Sequence, residues 1–141
     1  MKKGVYCLLL HLSAATTIKV GALGQIDFAP GYYIYVGSAL GSGGLSRVSR
    51  HIRFYKEQYR APKWHIDYLM MHAVLEKTFC AETEERLECV LSQAVGGAGV
   101  ERFGCSDCDC VTHLYYRTQL PEQEIKKAFA GIGLSVTEHR V

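Results

Sequence analysis

Two stretches of the chain alternate with the period of two that a β-strand imposes. From Gly4 to Leu12, Tyr6, Leu8, Leu10 and Leu12 share one face, and Val5, Cys7, Leu9 and His11 share the other. Both faces are apolar, which predicts a central strand covered by helices on two sides. In the stretch after Gly31, Tyr33, Tyr35 and Gly37 fall on one face and Tyr32, Ile34 and Val36 on the other. Between them, Thr16 to Val20 and Gln25 to Phe28 read as short strands joined through Gly21-Ala22-Leu23-Gly24, and Ala29-Pro30-Gly31 turns the chain back. The first third is expected to be an antiparallel meander that brings Tyr6 and Tyr35 into one sheet.

The period then changes. Gly41, Gly43 and Gly44 give the backbone freedom for a tight turn, and a helix is predicted to begin near Leu45 or Ser46. Arg60-Ala61-Pro62 interrupts, and Lys63 to Leu69 opens a second helical segment. Val74 to Cys80 alternates as a strand. Thr83 offers an N-cap for a third helix, with Glu84 and Glu85 in its first turn and Leu87, Val90, Leu91, Ala94 and Val95 as its buried stripe. Gly96-Gly97-Ala98-Gly99 ends it. A strand from His113 to Arg117, a helix from Pro121 to about Ala130 and a short strand from Leu134 to Val141 complete the chain. The expected fold class is α+β, a small and mainly antiparallel sheet flanked by helices, in one domain spanning residues 1–141.

Composition agrees with a folded core: 141 residues, 48% hydrophobic and 21% charged. No apolar run approaches the roughly 20 residues of a membrane helix. Met1-Lys2-Lys3 before an apolar run resembles the start of a signal peptide, but the run is short, meets His11 and has no small-residue cleavage site. The expectation is a soluble, cytoplasmic protein with no membrane partner.

Net charge is only +2, yet its distribution is uneven. Arg47, Arg50, Arg53, Lys56, Arg60 and Lys63 face a single acid, Glu57, with Phe54, Tyr55, Tyr59 and Trp64 interleaved. Cations neutralise phosphates and aromatic rings stack on unpaired bases, so this mixture suits nucleic acid. The same stretch reads as a solvated basic helix with aromatic core anchors, which accounts for Phe54 and Trp64 but less well for the charge imbalance. Arg47, Arg50 and His51 fall at i, i+3 and i+4, placing three cationic groups on one helix face directly after the glycines, where a phosphate fits. Neither a P-loop nor G-x-G-x-x-G is present.

Downstream, His65 is a candidate phosphate or water contact, and Asp67 reads as a partner for an arginine. Cys105, Cys108, Cys110 and His113 form C-x2-C-x-C-x2-H, a zinc-like ligand set that is cramped unless another residue such as Cys89 contributes. A disulfide framework is not expected, since nothing marks an oxidising compartment and Cys7 and Cys80 lie in core strands.

Gly4-Val5-Tyr6 and Tyr35-Val36-Gly37, followed by Arg47 and His51 one turn apart, resemble the signatures of the GIY-YIG nuclease superfamily. The fuller pattern, GYYIYVGSALG-S-GGL, RVSRHIR, KWHIDYL, RLEC and SDCDC with a following histidine, is similar to the Uri-like branch and runs from Gly4 to about Tyr116. The chain departs from the general superfamily in the long segment from Cys7 to Ile34 between the signatures. What the resemblance implies is metal-dependent hydrolysis of phosphodiester bonds in nucleic acid, DNA ahead of RNA. Glu88 would hold a single Mg²⁺ or Mn²⁺, Arg47 would clamp the phosphate, Tyr6 would take or position the proton of water, and Tyr35 would orient nucleophile or phosphate. His51 would shuttle a proton or contact phosphate. A tyrosine needs its pKa lowered for such a role, by Arg47 or the metal. Arg50, Arg53, Lys56, Arg60, Lys63 and His65 would line the nucleic-acid surface. Two alternatives stay open: a non-catalytic nucleic-acid-binding module, and a structural or regulatory zinc protein built on Cys105, Cys108, Cys110 and His113.

Overall fold

A computed structural model of the chain describes residues 2–104 and 110–141. Its elements run β1 (Gly4–Leu12), β2 (Thr16–Lys19), a single 3₁₀ turn (Gly21–Leu23), β3 (Gln25–Phe28), β4 (Gly31–Ala39), α1 (Ser46–Glu57), α2 (His65–Met70), β5 (Val74–Glu82), α3 (Glu88–Val95), β6 (Leu114–Arg117), α4 (Glu122–Gly131) and β7 (Thr137–Arg140). The fold is α+β, with a five-stranded sheet ordered β6-β4-β1-β5-β7 in which every pairing is antiparallel.

β1 is the centre of that sheet, as its two apolar faces require. On one side Tyr6, Leu8, Leu10 and Leu12 join Tyr33 in a core closed by Val48 and Phe54 of α1 and Ile66, Leu69 and Met70 of α2. On the other, Val5, Cys7 and Leu9 join Ile34 and Val36 beneath Leu91 of α3 and Ile125, Ala128 and Phe129 of α4. The alternation therefore assigns each strand residue to its layer.

The expected meander is replaced by a direct pairing. β1 and β4, each nine residues long, pair along their whole length, from Gly4 opposite Ala39 to Leu12 opposite Gly31. β2 and β3 form a separate two-stranded sheet. With only four residues each they offer little ladder, and Ile18 and Phe28 bury themselves in the α1–α2 side of the core instead. The third helix also starts later than expected. Thr83 Oγ1 accepts the Glu85 N–H at 3.1 Å, a local turn that imitates an N-cap, and α3 begins only at Glu88.

Two glycines hold β1 in place by having no side chain. A Cβ on Gly4 would lie 2.2 Å from the Ala81 carbonyl oxygen of β5, and one on Gly37 would lie 2.3 Å from Cζ of Tyr6. Gly37 is thus the floor on which the Tyr6 ring rests.

Candidate active site

The α1–α2 side of the sheet gathers Tyr6, Tyr35 and His51. Tyr6 is buried, and its hydroxyl lies 2.8 Å from His51 Nε2. The ring centroids of Tyr6 and Tyr35 are 6.5 Å apart, and those of Tyr35 and His51 6.3 Å. Register explains the meeting: Tyr6 stands opposite Gly37 and Leu8 opposite Tyr35, so the two tyrosines sit diagonally on adjacent strands and one face.

α1 supplies the imidazole and a guanidinium. It leaves a turn in which Gly44 takes a φ of +55°, a conformation open to glycine. The predicted shared face of Arg47, Arg50 and His51 is split by packing: His51 is buried, Arg47 is half-buried and Arg50 is exposed. Arg47 Nη1 donates to the Ser38 carbonyl at 3.0 Å, and its guanidinium stands 5.6 Å from the centre of the Trp64 ring. Trp64 also packs edge-on to His51 at 5.7 Å. It closes the site from the α2 side, a role its reading as a core anchor missed.

Burial dominates the titration of the pair. It pushes the Tyr6 hydroxyl well above its ordinary value, reinforced by Tyr35, and Arg47 only partly opposes this. Arg47 does pull the Tyr6 pKa down, as expected, but desolvation outweighs the guanidinium and the net shift is upward. Burial likewise lowers His51 to about 4, with Asp67 opposing and Arg47, Arg60 and Arg50 assisting, so the imidazole is neutral at physiological pH. A neutral imidazole beside a neutral phenol is one hydrogen-bonded unit, and the 2.8 Å contact serves either tautomer.

Glu88, the candidate metal ligand, is the first residue of α3 with a side chain 29% exposed. It lies in the first turn, where the helix dipole favours a carboxylate, and not one turn deeper as the sequence suggested. Its charge raises the Tyr6 pKa, which puts it within electrostatic reach of the tyrosine, and its Oε1 is 3.9 Å from His113 Nε2. A single partly exposed carboxylate fits a hard divalent cation that keeps most of its waters.

The basic surface is ordered by rings and by one buried acid. Arg53 stacks over Tyr59 at 4.0 Å and pairs with Glu57, and Lys63 lies 5.4 Å from Trp64. Arg60 covers Phe54 at 4.6 Å and donates to Asp67 at 2.9 Å. Asp67 also accepts from the Lys63 and Trp64 backbone N–H groups, which fixes the start of α2. Asp67 is therefore the arginine partner expected, and Arg60 is committed to the protein. Arg50, Arg53, Lys56 and Lys63 are exposed. His65 accepts the Gly104 N–H on Nδ1 at 2.8 Å, and burial lowers its pKa. A cleft of about 790 Å³ beside the cluster, between α1 and the β5–β7 edge, is lined by Val48, Ile52, Thr78, Cys80 and His139 and does not reach Tyr6.

Of the predicted zinc set, Cys105 and Cys108 lie outside the described residues. Cys110 is joined to Cys89 by a disulfide, which the sequence reading did not anticipate, while Cys7 and Cys80 are free.

Paired strands bearing Gly4-Val5-Tyr6 and Tyr35-Val36-Gly37, backed by a helix with Arg47 and His51, define a GIY-YIG-like protein. The chain belongs to the family described as domain of unknown function DUF123, which matches residues 5–134. Neither a curated protein nor a solved structure matches it. Among the described residues no helix is long and apolar enough to cross a membrane.

Proposed function

We propose that the chain is a metal-dependent endonuclease of the Uri-like branch that hydrolyses phosphodiester bonds in nucleic acid, DNA ahead of RNA, in the cytoplasm. The observation that carries this reading is the buried Tyr6–His51 hydrogen bond, held beside Arg47 and Tyr35 on the face that Glu88 reaches electrostatically. A phenol whose pKa is raised by burial does not act as a standing tyrosinate. It works by position: Tyr6, fixed by His51 at 2.8 Å, orients the attacking water toward the phosphate. Arg47 offers its fork of donors to the phosphate oxygens as charge develops there. Tyr35 orients the phosphate from the adjacent strand. Glu88 would hold Mg²⁺ or Mn²⁺, which when bound supplies Lewis acidity at the phosphate. The exposed Arg50, Arg53, Lys56 and Lys63 bind the flanking backbone, so affinity falls steeply with salt.

The test incubates labelled single-stranded, duplex and branched DNA and RNA with Mg²⁺, Mn²⁺ or EDTA. Cleavage is expected only with metal, and to fall by about 10²–10³-fold in Arg47→Ala and Glu88→Ala. Nucleic-acid binding without cleavage under any metal, with Glu88→Ala indistinguishable from wild type, replaces the enzyme with a binding module.

A further inference from the structure

Beyond Gly104, where a Cβ would lie 3.1 Å from Tyr35 Cε1 and 3.3 Å from His113 Cβ, Cys89, Cys110 and His113 bring two sulfurs and an imidazole nitrogen within 4.8 Å of one another. Contacts other than the disulfide hold the segments that carry them. His113 is fully buried; its N–H donates to the Phe103 carbonyl at 2.9 Å and its carbonyl accepts from Val36 at 2.8 Å. Cys89 sits in the first turn of α3, which Leu91 anchors in the core. Ser92 Oγ, one turn further on, donates to the Thr112 carbonyl at 2.9 Å and lies 2.6 Å from the Tyr115 hydroxyl. Breaking the sulfur–sulfur bond therefore leaves the two cysteines facing each other.

We propose that the reduced protein holds zinc here, with Cys89 and Cys110 as thiolates and His113 as imidazole supplying three corners of a tetrahedral site, and that the disulfide is its metal-free, oxidised form. The Cα atoms of the cysteines are 5.9 Å apart, and two zinc-bound sulfurs at about 2.3 Å from the metal need a separation of about 3.8 Å, a small opening of the pair. Both cysteines are only partly buried, so a metal reaches them, whereas His113 is covered. Two sulfurs and a nitrogen select a soft or borderline ion and not the hard cation proposed at Glu88. The chemistry balances. A dithiol gives two electrons and two protons to the disulfide, becoming a disulfide itself, and zinc displaces those two protons from the thiols. In reverse, hydrogen peroxide takes two electrons from the thiolates and two protons from solvent, forming two waters as the sulfurs join and zinc leaves. Glu88 precedes Cys89 in sequence and neighbours His113 in space, so metal loading alters the surroundings of Glu88. That consequence alone rests on the nuclease reading.

The experiment titrates cobalt(II) into the full chain, oxidised or reduced with a phosphine, without oxygen, and reads thiolate-to-cobalt and tetrahedral d–d absorption. The reduced protein is expected to bind one equivalent that zinc displaces, and the oxidised protein none. Cys89→Ser, Cys110→Ser and His113→Asn each lose the site, and Cys80→Ser keeps it. A reduced wild-type protein that binds no cobalt overturns the proposal without reference to any variant. So does Cys89→Ser with full stoichiometry and unchanged thiolate bands. The readout is independent of cleavage, so its failure and that of the nuclease reading are told apart.

Discussion

The two faces of the central sheet are built from the same strands and solve different problems. Beneath α3 and α4, Val5, Cys7, Leu9, Ile34 and Val36 meet Leu91, Ile125 and Phe129, and the buried hydroxyls of Ser92 and Tyr115 are hydrogen-bonded to each other. Beneath α1 and α2 the core also takes in Tyr6, His51 and Asp67, and His51 Nδ1, Arg60 Nη2 and Asp67 Oδ1 are buried with no hydrogen-bond partner among the described residues. Unpaired buried polar atoms are costly, and a face designed only to be stable would not keep them. The difference marks where sequence was spent on something besides stability.

The largest expected effect tests the packing face. Phe129→Ala removes a fully buried ring and should cost about 3–5 kcal/mol in urea denaturation, with cleavage per folded molecule unchanged. A cost below about 1 kcal/mol would break the contrast between the faces.

Next comes pH. Burial holds His51 at about 4 against an ordinary 6.5, so between these values the unfolded chain binds a proton that the folded chain refuses. Stability is complete above pH 6.5 and declines as pH falls towards 4, by about 3 kcal/mol from this residue. In His51→Gln that slope should flatten, leaving what His65 and His113 contribute, since burial lowers both in the same direction.

Gly37→Ala places a methyl against the Tyr6 ring and should cost about 1–3 kcal/mol while displacing the hydroxyl from His51. Wild-type stability together with wild-type cleavage would show that the floor yields freely.

The smallest stability change sharpens the comparison most. Tyr6→Phe keeps the ring and loses the hydroxyl, for about 1 kcal/mol. Cleavage is nonetheless expected to drop by about 10²-fold or more. Equal small losses in both measurements would reduce Tyr6 to a core residue.

What the sequence made legible was whatever a period imposes. Alternation in β1 and β4 sorted Tyr6 and Tyr35 onto one face and Val5 and Ile34 onto the other, and the layers obey it. Local chemistry with two solutions was misread. Thr83 with Glu84 and Glu85 looks the same whether it caps a helix or closes a turn, and only the packing of Leu91 decides that α3 starts at Glu88. Helical spacing grouped Arg50 with His51, although they lie about 100° apart around the axis and one points inward while the other meets solvent. Cys89 was legible only as a possible addition to Cys110 and His113, and their meeting depends on how residues 110–113 sit against α3.

The position of β1 bears on how the chain is assembled. This strand is the first in the chain and the middle of the sheet, and its partners β4 and β5 are followed in turn by the edge strands β6 and β7. At about 5–20 residues per second during synthesis, the most apolar strand waits seconds for its neighbours. Until β5 has emerged one edge of β1 stays open, and residues with sequence separations as large as Tyr6 and Cys80 must find each other. The inner strand is where a nascent chain is most exposed to mispairing, and the late edge strands seal a sheet whose register is already set.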